Sequence, residues 1–148
     1  MAIRELIETS AAVATSVGVF FVVWQLWQTK KQALTSFEDQ LASEYRLLAR
    51  DIPASALLGE ELENEKFIEA REYVYNYIDL SNEQVFLRQI GRVSKKTWEY
   101  WREGIKSNLS RPVFARVWAE VKKSVPESFQ ELRRLEREGF SSDPKRWR

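Results

Sequence analysis

Carboxylate side chains at helical spacing are the groups in this chain whose types could do chemistry. Asp79 and Glu83 lie four residues apart and would share one face of a helix, and Glu38 and Asp39 form a second pair. Paired carboxylates can carry out acid–base catalysis or bind a hard cation. The alternative is a hydrogen-bonded polar core, in which a carboxylate such as Glu83 pairs with an arginine such as Arg88.

The sequence lacks the other groups that such chemistry commonly uses. It has no histidine and no cysteine, which removes the commonest general base, the usual nitrogen and sulfur ligands of zinc, and thiol chemistry. Neither a Gly-rich phosphate loop nor a Gly-x-Ser-x-Gly motif is present. We therefore predict a protein that is not an enzyme and holds no metal or cofactor, with a structural polar core formed by Asp79, Asn82, Glu83 and Arg88.

The longest uncharged stretch decides how the rest of the chain is organised. Residues 11–27 read AAVATSVGVFFVVWQLW, and residues 19–23 are apolar on every side of a helix. With its uncharged neighbours the segment approaches the ~20 residues that cross a bilayer, so the pattern predicts one transmembrane helix. A cleaved signal peptide is disfavoured by Trp24 and Trp27 at the end of the run. A core helix of a soluble protein is the second alternative.

The flanks of this segment predict its orientation and its contacts. Lys30 and Lys31 follow it directly, whereas the N-terminal flank carries one arginine and two glutamates, so the positive-inside tendency places the C-terminal domain in the cytoplasm and the N-terminus outside the inner (plasma) membrane. Trp24 and Trp27 would join the two lysines in an interface anchor. Small residues at four-residue spacing would let another membrane helix approach closely: Ser10, Ala14 and Gly18.

The remainder of the chain shows the spacing of apolar residues that is typical of helices. One long helix is predicted to run from the membrane segment to the break at Asp51-Ile52-Pro53. Four further helices are predicted from caps, glycines and prolines: about 61–90, 95–108 behind Ser94 as N-cap, one opened by Ser110 and Pro112, and one from Pro126 to Gly139.

These helices predict an all-α fold, in which a single transmembrane helix continues into a cytoplasmic bundle of about four helices. The expected division is an anchor with its flanks over residues 1–31, a bundle domain over 32–139 and a basic C-terminal tail over 140–148. Whether the first helix is continuous across residues 29–32 is left open by the sequence.

Charge divides the soluble part into opposed halves. Residues 36–91 contain twelve acidic and five basic residues (net −7), whereas residues 92–148 contain eight acidic and fifteen basic residues (net +7). The favoured interpretation is that acidic and basic helices pack together. The alternative is that the basic half, with Trp147 in its tail, faces anionic lipid.

The stretch from Asn82 to Ile105 reads NEQVFLRQIGRVSKKTWEYWREGI. It resembles a group of uncharacterised bacterial membrane-anchored all-helical proteins, in which a helix with an Asn/Glu pair leads through a Gly turn to a helix with Trp at the same spacing. The resemblance covers about residues 68–121 and implies a membrane-anchored helical domain of unknown function. It assigns no catalytic residue.

These observations predict a single-pass membrane protein that acts by protein–protein interaction, as a scaffold, accessory or regulatory subunit of a membrane complex. The expected partners are membrane lipid and either another membrane protein or a second copy of the chain, with no nucleic acid and no small-molecule substrate. The alternative is a soluble or peripheral oligomer that buries its hydrophobic first helix in the assembly. An enzyme acting near Asp79 and Glu83 is the third reading.

Overall fold

The computed structural model describes the backbone of residues 2–147 and the side chains of residues 18–147. The described residues form α-helices and no strand, which confirms the all-α prediction. The chain divides into two compact units, one ending at Phe37 and one spanning Glu38–Arg148. The helices are α1 (Ala2–Asp51), α2 (Ala54–Leu58), α3 (Asn64–Gln89), α4 (Lys95–Leu109), α5 (Pro112–Ser124), α6 (Gln130–Arg137) and a 3-10 helix (Pro144–Arg146).

The first unit consists of the helical residues that precede Glu38. The Thr29 hydroxyl donates to the carbonyl of Gln25 at 2.9 Å, and the Thr35 hydroxyl donates to that of Lys31 at 3.1 Å, one turn back in each case. Helix α1 therefore includes residues 29–32. Among the described residues, we find no helix with the length and apolarity that crossing a membrane requires. The side chains of residues 11–17, within the predicted transmembrane segment, lie outside the described residues.

Local signals set most helix ends in the second unit. Gly91 has φ 77, a left-handed conformation suited to glycine, and ends α3 with the Arg92 N–H donating to the carbonyl of Leu87 at 2.9 Å. The Ser94 hydroxyl accepts from the Thr97 N–H at 3.2 Å, which confirms the predicted cap of α4.

Three helix starts differ from the prediction. Helix α3 begins at Asn64 instead of about residue 61. Arg111 rather than Ser110 precedes α5, because the Ser110 hydroxyl donates back to the carbonyl of Ser107 at 2.7 Å and belongs to the end of α4. The last helix begins at Gln130 instead of Pro126, because Phe129 adopts a left-handed φ of 60 directly before it. Pro112 opens α5 as predicted.

Helix α3 is the centre of the second unit and packs against α4, α5, α6 and the 3-10 helix. Its inward face carries residues spaced by one helical turn, such as Val74 and Ile78, which have no exposed surface. Tyr77 meets Phe114 of α5 edge to face, with ring centroids 5.2 Å apart. Aromatic and aliphatic side chains from the neighbouring helices complete the core: Trp98, Ile105, Phe114, Leu132 and Leu135.

The C-terminal segment is part of this unit, which corrects the prediction of a separate basic tail at 140–148. Pro144 is buried, and the 3-10 helix packs on α3. The Trp147 indole donates to the Glu138 carboxylate at 3.0 Å, and the Arg134 guanidinium lies 4.6 Å from its ring centroid. Trp147 is therefore half-buried against the bundle.

Candidate functional site

An apolar surface that only Gln25 interrupts surrounds the helix of the first unit over residues 19–27. The large apolar side chains within residues 19–27, which we call the apolar girdle, are between 51% and 76% exposed. Since an α-helix makes a full turn in 3.6 residues, nine consecutive residues cover every side of it. Monomeric soluble proteins rarely leave so continuous an apolar surface in water.

The predicted interface anchor lies at the C-terminal end of the girdle. Trp24 and Trp27 are exposed, as are Lys30 and Lys31. The Lys31 ammonium lies 5.4 Å from the centroid of the Trp27 ring, within the range of a cation–π contact. The structure therefore brings one lysine and one tryptophan of the predicted anchor together.

The predicted small-residue face is described at one of its three positions. A Cβ at Gly18 would meet no described atom within 4 Å, so there is open space beside this residue. The side chains of Ser10 and Ala14 lie outside the described residues.

The prediction that Asp79 and Glu83 belong to a structural polar core is wrong. Asp79 and Glu83 are exposed, because they lie on the opposite side of α3 from the buried residues Val74, Ile78 and Arg88. Their position at the surface lets water solvate both charges, so they take no part in a buried network. The described residues contain no cluster of three or more potential metal ligands.

The other two members of the predicted polar core make long-range hydrogen bonds. Asn82 is half-buried, and its side-chain oxygen accepts from the Leu132 N–H at 3.0 Å. Arg88 is buried and donates to the Asp143 carboxylate from Nε at 2.7 Å and from Nη2 at 2.5 Å. Its Nη1 donates to the carbonyl of Val93 at 2.8 Å. The hydrogen bonds from Arg88 hold the pKa of Asp143 below its usual value.

Glu38 has a structural role that its sequence position did not reveal. Its carboxylate accepts from the Ser94 N–H at 2.5 Å and from the Thr97 hydroxyl at 2.6 Å, so it caps the first turn of α4. A negative charge at this end of a helix is favourable because the free N–H groups and the helix dipole point toward it. Asp39 is exposed, and the pair therefore does not act as one acidic site.

No family model, curated protein or solved structure matches the chain. The resemblance over about residues 68–121 stays a prediction.

A buried polar cluster that the sequence analysis missed lies between α3 and α4. The Asn108 amide donates to the Tyr77 hydroxyl at 2.8 Å, and its oxygen accepts from the Arg111 guanidinium at 2.5 Å. Burial raises the pKa of Tyr77 to about 12, so its hydroxyl is protonated at neutral pH. Tyr77 and Asn108 are 31 positions apart in the sequence, and no local pattern links them.

The second unit also exposes an apolar groove between α3 and α5. This α3/α5 groove has a volume of about 470 Å³ and is lined by Ile68, Tyr75 and Val125, which are between 37% and 63% exposed. Arg71 and Glu120 form an exposed ion pair across it, with 4.0 Å between their charged atoms. An apolar floor with charged edges is typical of a groove that binds a segment of another protein.

Proposed function

We propose that the protein is a single-pass membrane protein whose helical bundle acts by binding other proteins, as a scaffold, accessory or regulatory subunit. The apolar girdle is the observation that carries the proposal. Covering one large apolar side chain contributes about 1.5–3 kcal/mol. A single partner helix covers one stripe of another helix, whereas hydrocarbon surrounds a helix on all sides, so the girdle favours lipid.

The orientation that we propose is N-terminus outside and bundle in the cytoplasm, at the inner membrane. It is supported by the positive charges of Lys30 and Lys31 directly after the girdle and by the Trp27 ring beside Lys31. Tryptophan and lysine at one end of an apolar segment are typical of a membrane–water interface.

The bundle then presents the α3/α5 groove to proteins at the membrane. Helix-in-groove recognition uses apolar side chains at three- or four-residue spacing on the bound helix. Ile68 and Tyr75 are seven residues apart on α3 and would contact successive turns of such a helix. The Arg71–Glu120 pair offers both signs of charge at the rim, which favours a partner with mixed charge.

Membrane fractionation of the full-length protein tests the anchor. We expect the wild type in the membrane pellet after alkaline carbonate washing. The double variant Val19→Asp, Phe20→Lys should leave the pellet, because these positions lie at the centre of the predicted segment 11–27, where each charge costs about 2.5–3.5 kcal/mol. The matched control is Leu58→Lys, which changes an exposed apolar residue in the second unit and should leave the fractionation unchanged.

Recovery of the wild type as a soluble oligomer would contradict the anchor and support the alternative assembly. Membrane packing is tested separately with Ala14→Leu, Gly18→Leu. We expect this variant to stay in the pellet but to lose its co-purifying partner or its self-association in mild detergent, since larger side chains prevent close helix approach. An unchanged set of co-purifying chains would rule out the packing face.

A further inference from the structure

A cavity in the second unit lies between residues of α1, α3 and α4, separate from the apolar girdle and from the α3/α5 groove. Its volume is about 380 Å³, and its walls are mainly apolar and aromatic. Tyr45 of α1, Tyr77 of α3 and Trp101 of α4 line it, and the first two meet edge to face with ring centroids 5.9 Å apart. The volume is at the small end of the range of ligand pockets, which is about 300–1,000 Å³.

Gln84 places an unpaired amide in this cavity. The residue is 5% exposed and lines the cavity, and the structure shows no hydrogen bond from its side chain to any described residue. Ser81 and Asn108, the neighbouring buried polar residues, both have partners. The amide is open to the cavity, because the fully buried side-chain atoms without a partner in the described part of the chain are Trp98 Nε1 and Arg102 Nε, and neither amide atom of Gln84 is among them. The Gln84 amide can both donate to and accept from a bound group.

Gly104 lies at the exposed edge of the cavity. It lies within α4 and lines the cavity, and a Cβ at this position would meet no described atom within 4 Å. Glycine inside a helix is destabilising relative to alanine. Gly104 is exposed, so the open space beside it lies at the mouth of the cavity.

The charges at the cavity rim are balanced. Arg46 and Glu103 both line it and are exposed, and Glu103 also pairs with Arg102, with 3.0 Å between the charged atoms. One cation and one anion give the opening no strong preference for a charged ligand. The Tyr77 hydroxyl, which is protonated, adds a neutral polar group to the wall.

We propose that this cavity binds a small neutral aromatic ligand that carries an amide or lactam edge. The aromatic ring would pack against Trp101 and Tyr45, and the amide edge would exchange hydrogen bonds with Gln84. The ligand would be bound and not chemically changed. This inference does not depend on membrane attachment, since the residues that form the cavity lie in the second unit.

Titration of the full-length protein in mild detergent with benzamide tests the proposal, with two-dimensional NMR of the side-chain N–H groups as the readout. We expect saturable shifts of the Gln84 amide and the Trp101 indole. Gln84→Met should weaken benzamide binding about tenfold, in line with one lost hydrogen-bonding group. It should leave the weaker binding of ethylbenzene, which lacks the amide, unchanged. Benzoate should bind more weakly than benzamide.

A second variant tests the cavity without changing the buried Gln84. Gly104→Leu places a side chain in the open space on a helical position and should abolish binding of both benzamide and ethylbenzene while the bundle stays folded. Gly104→Ala is its matched control. Unsaturable shifts with benzamide, equal benzamide affinity in the wild type and Gln84→Met, or an unaffected Gly104→Leu variant would each overturn the proposal and leave water as the partner of Gln84.

Discussion

Replacing Asp143 with asparagine leaves the Arg88 guanidinium without its counter-charge in the interior of the bundle. The Arg88 side chain is 5% exposed and the Asp143 side chain is 19% exposed, and two short hydrogen bonds join them. Asparagine keeps the size of the side chain and one acceptor oxygen. It removes the charge and presents an N–H₂ donor to a guanidinium that can only donate.

The expected cost is about 3 kcal/mol, the low end of the 3–5 kcal/mol range for removing one partner of a buried ion pair. We choose the low end because the Asp143 carboxylate keeps some contact with water. For a domain of this size, such a loss lowers the melting temperature by roughly 10–20 °C. Near-ultraviolet circular dichroism of the full-length protein in mild detergent measures it, since Trp98 and Trp118 are buried in the core.

Asp79→Asn is the matched control. It makes the same chemical change on α3 at an exposed position and should alter stability by less than about 0.5 kcal/mol. The double variant Arg88→Met, Asp143→Leu should recover part of the loss, because an apolar pair needs no counter-charge. An Asp143→Asn melting temperature within about 2 °C of the wild type, equivalent to under 1 kcal/mol, would refute the argument that this pair holds the C-terminal segment on α3.

Two further outcomes follow from the polar contacts of the second unit. Because Arg88 lowers the pKa of folded Asp143 below its unfolded value of about 4, the contribution of this pair is fully present above that pH and is lost as the pH falls through the folded pKa. Acid melting curves should show this loss in the wild type and not in Asp143→Asn; parallel curves would contradict it. Glu38→Ala should cost about 1 kcal/mol, because it removes the carboxylate that caps α4, whereas Asp39→Ala in the same urea titration should be neutral. Equal effects of the two variants would show that the cap contributes nothing.

The local sequence pattern was sufficient to predict most of the helices. The end of α1 at Asp51, the Ser94 cap and the start of α5 at Pro112 depend on residues within one or two turns of each site. These signals act through backbone hydrogen bonding and the fixed φ of proline, which do not require the rest of the fold. The start of α6 was misplaced because the left-handed Phe129 depends on where its buried ring packs.

Periodicity did not show which polar residues of α3 would be buried. The second half of this helix is apolar on nearly every side, so the sequence could not show whether Asp79 and Glu83 or Arg88 would be buried. The packing of α4, α5 and α6 selected the face with Val74, Ile78 and Arg88. The carboxylates of Asp79 and Glu83 lie on the other face, where water stabilises their charges more than a single buried partner would.

Helical periodicity, prolines and caps are properties of neighbouring residues. The amino-acid order alone was therefore enough to predict an all-α chain with an apolar segment near its N-terminus. The pairing of Arg88 with Asp143 joins residues 55 positions apart, and Glu38 reaches Ser94 across 56. The Gln84 cavity likewise draws its walls from three helices. Such contacts depend on which helix faces meet, because a buried charge or amide finds its partner only after the core has packed, and tertiary structure alone decided them.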